Sequence, residues 1–222
     1  MSKMRRRLLG MMNTQSNWYV TDGLLLHMDG IEKGATANAW TSLVGGHVFT
    51  PAGGVTFNAD NVEFDGVDGM LTNNTFTVPS ANSGTIEIVF EKVDGNIGKT
   101  LFMPTSGSKR LCIYINSSNI MLWSNYSASP RYSVPSTASV SVNANGCFAN
   151  GKSVTMDGSD FIASASTSIN RIGCRYSSNG NTNFYNGKIY CIRIYSRLLT
   201  QAEVFHNLAI DRKRFGIGYP TT

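Results

Sequence analysis

A chain of 222 residues with 41% hydrophobic residues, 22 glycines and only 15% charged residues is too apolar to stay disordered and long enough to bury a sizeable core. Its net charge of +5 is not spread as a basic stripe: Lys3, Arg5, Arg6 and Arg7 lie within the first thirteen residues, and without them the remainder stands at +1. That distribution argues against nucleic-acid binding, which calls for a basic face interleaved with aromatic rings, and no apolar run approaches the length that spans a membrane.

Residues 1–16 read as a basic, methionine-rich leader, separate from the domain that occupies 17–222. Its apolar stretch, Leu8–Met12, is too short for the h-region of a signal peptide, and polar residues follow it. Arg5, Arg6 and Arg7 suit acidic groups on a partner while Leu8 and Leu9 suit an apolar groove, so these five are the expected attachment residues of an arm that orders on binding. The first strand is expected at Gly23–Met28, closed by the turn pair Asp29-Gly30. Short strands follow near Val48–Thr50 and Val62–Phe64, then a longer one over Met70–Val78. In Gly84–Val93, Ile86, Ile88 and Phe90 alternate with Glu87, Val89 and Glu91, the period-two pattern of a half-buried strand.

Further strands are expected at about Thr100–Met103, Leu111–Ile115 and Ile120–Trp123, whereas Ser124–Ser139, rich in Ser, Asn and Tyr, reads as loops. Cys147–Ala149 and Lys152–Met156 flank Asn150-Gly151, a favoured pair for a two-residue hairpin turn, and the last strands fall at Arg171–Arg175 and Lys188–Tyr195. One helix is predicted, over about 200–213. Thr200-Gln201-Ala202-Glu203 fits a capping box, Val204 and Leu208 share a face, Arg212, Lys213 and Arg214 suit the negative end of the dipole, and Gly216 can stop it. Cys112, Cys147, Cys174 and Cys191 match no zinc or redox spacing and are expected to be free thiols packed as small hydrophobes.

Several segments, in order, resemble the concanavalin A-like lectin/glucanase superfamily with its laminin-G-like domains. Asp22–Asp29 resembles its first strand, and Trp40-Thr41-Ser42-Leu43-Val44-Gly45-Gly46 its tryptophan-to-glycine turn. Val62-Glu63-Phe64-Asp65-Gly66-Val67-Asp68 resembles the strand and turn written F-D-G-x-D, and Ala149-Asn150-Gly151-Lys152 the hairpin written V-N-G-K. Asn186–Tyr190 through Ser196–Glu203 is similar to the final strand and the capped helix after it. The resemblance runs from about residue 22 to 215. It implies an all-β fold, a two-sheet antiparallel jelly-roll sandwich with one C-terminal α-helix; the fold hosts many functions, so function follows only by analogy.

The same superfamily includes glucanases that set carboxylates on alternate strand positions, and retaining chemistry needs two carboxyls about 5–5.5 Å apart. Here Glu87 and Glu91 share a strand face roughly 13 Å apart with Val89 between them, so both read as sheet-surface acids and the chain as not an enzyme. His27, His47 and His206 form no nucleophile motif, and His27 reads as a satisfied strand histidine. Some members bind calcium. Asp29, Asp65 and Asp68 sit in turns beside glycines and suit oxygen ligation, though Asp and Gly are also ordinary turn residues, and that reading is favoured.

Glycan recognition needs an aromatic platform with planar polar groups, which points to Trp123, Asn125, Tyr126 and Tyr132 in one segment and Tyr176, Asn181, Asn183 and Tyr185 in another. The leading expectation is a non-catalytic glycan-binding, adhesion or decoration module of a phage virion, with a bacterial cell surface as the alternative location. Its expected partners are a host or environmental glycan and, through the leader, other virion or surface-assembly proteins; self-association is left open. Two alternatives stand beside it, a glycoside hydrolase or lyase of the same fold and a decoration domain without ligand.

Overall fold

The structure is a computed structural model that describes residues 18–32, 38–80, 83–93, 97–104, 112–116, 119–123, 131–154, 167–177 and 180–218. The leader and the attachment residues Arg5–Leu9 lie outside the described residues. The chain opens with β1 (Leu24–Asp29), β2 (Trp40–Thr41), β3 (Val48–Ala52), β4 (Val55–Phe57), β5 (Val62–Asp65) and β6 (Met70–Val78). It continues through β7 (Thr85–Lys92), β8 (Ile97–Pro104), β9 (Cys112–Asn116), β10 (Asn119–Trp123), β11 (Arg131–Ser133) and β12 (Thr137–Asn143). Next come β13 (Gly146–Ala149), β14 (Lys152–Val154), β15 (Thr167–Ile172), β16 (Arg175–Ser177), β17 (Gly180–Thr182), β18 (Asn186–Tyr195) and α1 (Gln201–Phe215).

The strands form two antiparallel sheets. The first runs β14-β13-β12-β7-β18-β5-β4, with β1 also on β18; the second runs β11-β10-β9-β8-β15-β6-β3-β2. β16 and β17 make a separate hairpin. β18 organises the first sheet: β7 lies along one edge, while β1 pairs with its Cys191–Tyr195 half and β5 with its Asn186–Ile189 half on the other. Ile86, Ile88 and Phe90 of β7, Ile189, Ile192 and Ile194 of β18, and Leu71, Phe76 and Ile169 of the second sheet form one buried apolar layer between the sheets. The fold is therefore an all-β sandwich of two antiparallel sheets with a C-terminal helix, as the strand pattern predicts.

The predicted hairpin turn is present. Asn150 (φ 51°) and Gly151 (φ 82°) both take the left-handed conformation, which matches the twist of β13 and β14. The expected strand over Arg171–Arg175 is instead divided. Gly173 (φ 88°) turns the chain between β15 and β16, and a Cβ there would lie 2.4 Å from the Phe64 ring. The predicted loop over 124–139 instead contains β11 and the start of β12, in which Ala138, Val140 and Val142 are buried and Ser139, Ser141 and Asn143 alternate with them.

The first sheet is covered on its outer side too, so β7 is buried on both faces rather than half-buried. α1 and the extended segment Trp18–Val20 supply that cover. Thr200 caps α1: its Oγ1 accepts from Glu203 N, and the Glu203 carboxylate accepts from Thr200 N at 2.8 Å. The helix runs to Phe215, two residues beyond the predicted limit, and Gly216 ends it as predicted, in the left-handed conformation (φ 70°) and donating to the Arg212 carbonyl.

Candidate functional site

The turns Gly53–Gly54 and Asp65–Gly69 and the connection from β17 to β18 meet at one end of the sandwich. Asp65 Oδ1 accepts from the backbone N–H groups of Val67 (2.8 Å), Asp68 (3.2 Å) and Gly69 (3.0 Å). Burial works to raise the Asp65 pKa, but these N–H groups outweigh it and hold the carboxyl below its ordinary range. Asp68 Oδ1 accepts from Gly54 N at 2.8 Å and so ties the two turns together. Asn181 joins them by donating from Nδ2 to Met70 Sδ at 3.1 Å, and Asn186 lies opposite Asp65 in the β18–β5 register. Val67 stands at the tip of the turn, 72% exposed, with exposed Asp65 and Asp68 on either side.

Among the residues predicted to bind glycan, Asn181 and Asn183 reach this end as half-buried groups. Asn183 is left-handed (φ 54°), and its carbonyl accepts from Thr100 N. Tyr185 is not a platform. It is fully buried, edge-on to Phe64 at 5.9 Å, and donates its hydroxyl to the Glu91 carbonyl at 2.7 Å. Burial, with Glu91 second, pushes its hydroxyl pKa well up. Tyr176 lies in β16, Trp123 in β10 and Tyr132 in β11, with their side chains outside the described residues; Asn125 and Tyr126 lie wholly outside them. Asn183 bonds Thr100 of β8, which lies two strand spacings from β10 and three from β11 in the second sheet, about 10 and 14 Å.

The three aspartates considered for calcium do not converge. Asp29 is opposite Cys191 on β18 and Asp65 is opposite Asn186, a separation of roughly 16 Å along the strand. Asp29 is buried: Oδ1 accepts from Ile31 N (2.9 Å) and Glu32 N (3.1 Å), and Oδ2 from Arg214 (2.7 Å). Among the described residues no three His, Cys, Asp or Glu side chains gather in a way that would hold a metal ion. Cys147, Cys174 and Cys191 are free and buried.

The densest group of ionisable side chains lies elsewhere, under α1. His27, Arg193, Glu87 and Ser141 face one another across β1, β18, β7 and β12, on the outer side of the first sheet. Arg193, 1% exposed, donates to Glu87 Oε2 (2.8 Å) and bidentately to Asp211 of α1 (2.7 and 2.8 Å). Asn207 Nδ2 donates to Glu87 Oε2 at 2.8 Å, Tyr19 OH to Asp211 Oδ1 at 3.0 Å, and Ser139 Oγ to Asp211 Oδ2 at 2.8 Å. Burial opposes the Arg193 charge, but Asp211 and Glu87 outweigh it and keep the guanidinium protonated. Burial likewise raises the Glu87 pKa, against the pull of Arg193.

Glu87 is therefore no sheet-surface acid. Glu91 is one, meeting Lys188 Nζ at 3.5 Å and Tyr190 OH at 3.1 Å. Sequence pattern missed the buried group, although a lone Glu in Ile-Glu-Ile-Val and a lone Arg in Cys-Ile-Arg-Ile were visible within apolar strands. His27 was expected to be satisfied, yet neither ring nitrogen has a hydrogen-bond partner among the described residues.

No protein-family model and no curated protein sequence matches the chain. Solved structures do. A Trypanosoma rangeli sialidase is similar over 87% of this chain and 33% of its own, at 12% identity and a TM-score of 0.64. Domain 4 of AbnA, an extracellular GH43 arabinanase from Geobacillus stearothermophilus, in complex with arabinotriose, is similar over 82% of this chain and 96% of its own, at 16% identity and a TM-score of 0.58. The botulinum neurotoxin serotype D/C binding domain is similar over 87% of this chain and 53% of its own, at 13% identity and a TM-score of 0.53. The chain spans about one third of the length of the sialidases, and at these identities the likeness is one of fold.

The sialidases correct the expectation that the chain is not an enzyme. That expectation rested on a missing carboxylate pair, and sialidases work through a tyrosine nucleophile instead, so the missing pair excludes nothing of that kind.

Proposed function

We propose that this chain is a glycan-recognition sandwich of the concanavalin A-like, laminin-G-like kind, and that it meets saccharide at the end formed by Gly53–Gly54, Asp65–Gly69 and Asn181–Asn183. The observation that carries the reading is the likeness to AbnA domain 4, a unit of similar extent whose structure holds a trisaccharide. The chemistry of the end agrees with it. Exposed carboxylates and half-buried amides can bond hydroxyls, and the Val67 tip offers an apolar contact for a sugar C–H face. Loops on a rigid scaffold are where such groups collect.

We place the domain on a larger assembly, a virion or a bacterial surface, joined through its basic leader. Binding to a panel of arabino-oligosaccharides, sialosides and host polysaccharides, read by calorimetry beside product release, tests the proposal. Asp68→Ala and Asn181→Ala should each weaken binding about tenfold or more while leaving the fold intact. Binding that instead follows Trp123→Ala or Tyr132→Ala would move the site onto β10 and β11. No binding across the panel would contradict the reading.

A further inference from the structure

We propose that Trp18–Val20 is a strap held down over a neutral His27, and that protonation of His27 in mild acid releases the strap from the sandwich. Among the described residues the strap joins neither sheet, and side chains tie it down. Val20 N donates to Asn207 Oδ1 (2.9 Å), Tyr195 OH to the Val20 carbonyl (3.1 Å), and Tyr19 OH to Asp211 Oδ1 (3.0 Å), while the Trp18 carbonyl meets His206 Nε2 (2.9 Å). His27 lies beneath it, 1% exposed, with the Tyr19 ring edge-on at 5.0 Å and the Trp18 ring at 6.0 Å.

Beside the uncharged strap rings and the Ser42–Leu43 segment, three elements bring charge near His27. β18 sets Arg193 directly opposite, β7 brings Glu87 beside that arginine, and α1 brings Asp211 and Arg214. Glu87 and Asp211 are engaged by Arg193. Within β1, Asp29 Oδ2 stands 3.5 Å from His27 Nε2 without a hydrogen bond. That oxygen already accepts from Arg214, and Oδ1 accepts from two backbone N–H groups. Asp29 Oδ2 keeps one lone pair but makes no hydrogen bond to the ring as it stands, so a protonated His27 must move to use it. That movement crowds Arg214, which bonds the same oxygen and lies over the Trp18, Tyr19 and Phe215 rings at 5.8, 6.0 and 5.7 Å. It disturbs the contacts beneath the strap.

The direction follows from linkage. Burial, then the charge of Arg193, lowers the docked His27 pKa to about 3, against 6.5 for a solvated ring. Neutral His27 therefore favours the docked strap above pH 6.5, and the preference is lost as pH falls toward about 3. From pH 7.5 to 4.5 strap opening gains on the order of 100-fold if His27 reaches solvent on opening. The strap joins the basic leader to the sandwich, so its release lengthens that tether by about 10 Å.

Hydrogen exchange of the full chain tests this, with protection factors compared at pH 7.5 and 4.5. Wild type should lose protection over 18–20 by tenfold or more while β7 and β18 stay protected. His27→Phe, which keeps a ring and cannot titrate, should show no such loss. An equal loss in His27→Phe, or none in wild type, overturns the proposal. Should His27→Phe not fold, an NMR titration of the wild-type histidines decides. Proton uptake at His27 must coincide in pH with strap release, and either one without the other contradicts the latch.

Discussion

Arg193 shows how one residue can serve a fold through its partners. It is a cation on a central strand, and Glu87 and the bidentate Asp211 make its burial tolerable. Asp211→Ala should cost about 3–5 kcal/mol in chemical denaturation, because it strands a buried guanidinium. Replacing Arg193, Glu87 and Asp211 together by Met, Leu and Leu should cost less than that single change, since the penalty lies in the unpaired charge. If the triple variant is the less stable, the network contributes net stability and not mainly specificity.

At this scale the sequence was legible for apolar positions and opaque for polar ones. Ile86, Ile88 and Phe90 announce a core by alternation, whereas Glu87 in the same strand looks solvated until a helix is laid over it. Tyr185 was misread for a related reason. Its neighbours Asn181, Asn183 and Asn186 are of a type common in loops, but its ring enters the core and its hydroxyl finds a carbonyl there.

Elements were legible where local chemistry specifies them. The α1 capping box is complete, and Arg197 clamps the same Glu203 with bonds of 3.0 and 2.6 Å. Thr200→Ala should lower stability by about 1 kcal/mol, and an unchanged melting curve would show that the Arg197 clamp suffices without the cap. The hydrogen bond from Arg197, with further backbone bonding from Thr200, depresses the Glu203 pKa to about 2. Its contribution should therefore be complete above pH 4.5 and fade as pH falls toward about 2; a Glu203→Gln variant should lose that acid sensitivity.

β12 was hidden by its composition. Ser139, Ser141 and Asn143 look like loop residues, yet Ser139 bonds Asp211 and Asn143 bonds the Leu199 carbonyl at 3.2 Å, so the serine-rich face is the seat of the helix. Ser139→Ala should cost about 1–3 kcal/mol, because it removes a buried bond to a charged group. Two of the three basic residues near the C-terminus are likewise drawn onto the fold, while Lys213 is exposed. Arg212 donates to the Gly218 and Asn150 carbonyls, and Arg214 to Asp29.

As a whole, the molecule is two sheets around an apolar layer, with a third layer of helix and strap over a polar one. The motif order identified the sandwich because each motif is a local turn or cap. The rim was only half visible, since Asp65, Asp68 and Asn181 come from segments more than a hundred residues apart and nothing local links them. Deleting residues 2–13 should leave the melting temperature unchanged, because Trp18 and Val20, which tie the start of the domain to α1, are kept. A large drop would place the leader inside the fold.

The location of the saccharide site is tested most directly by titrating the isotope-labelled full chain with the best-binding oligosaccharide and following backbone NMR shifts. Shifts concentrated in Gly53–Gly54, Asp65–Gly69 and Asn181–Asn183 are predicted. Shifts confined to Trp123 and Tyr132 on β10 and β11, or none at saturating sugar, would contradict the assignment of this end of the sandwich as the glycan site.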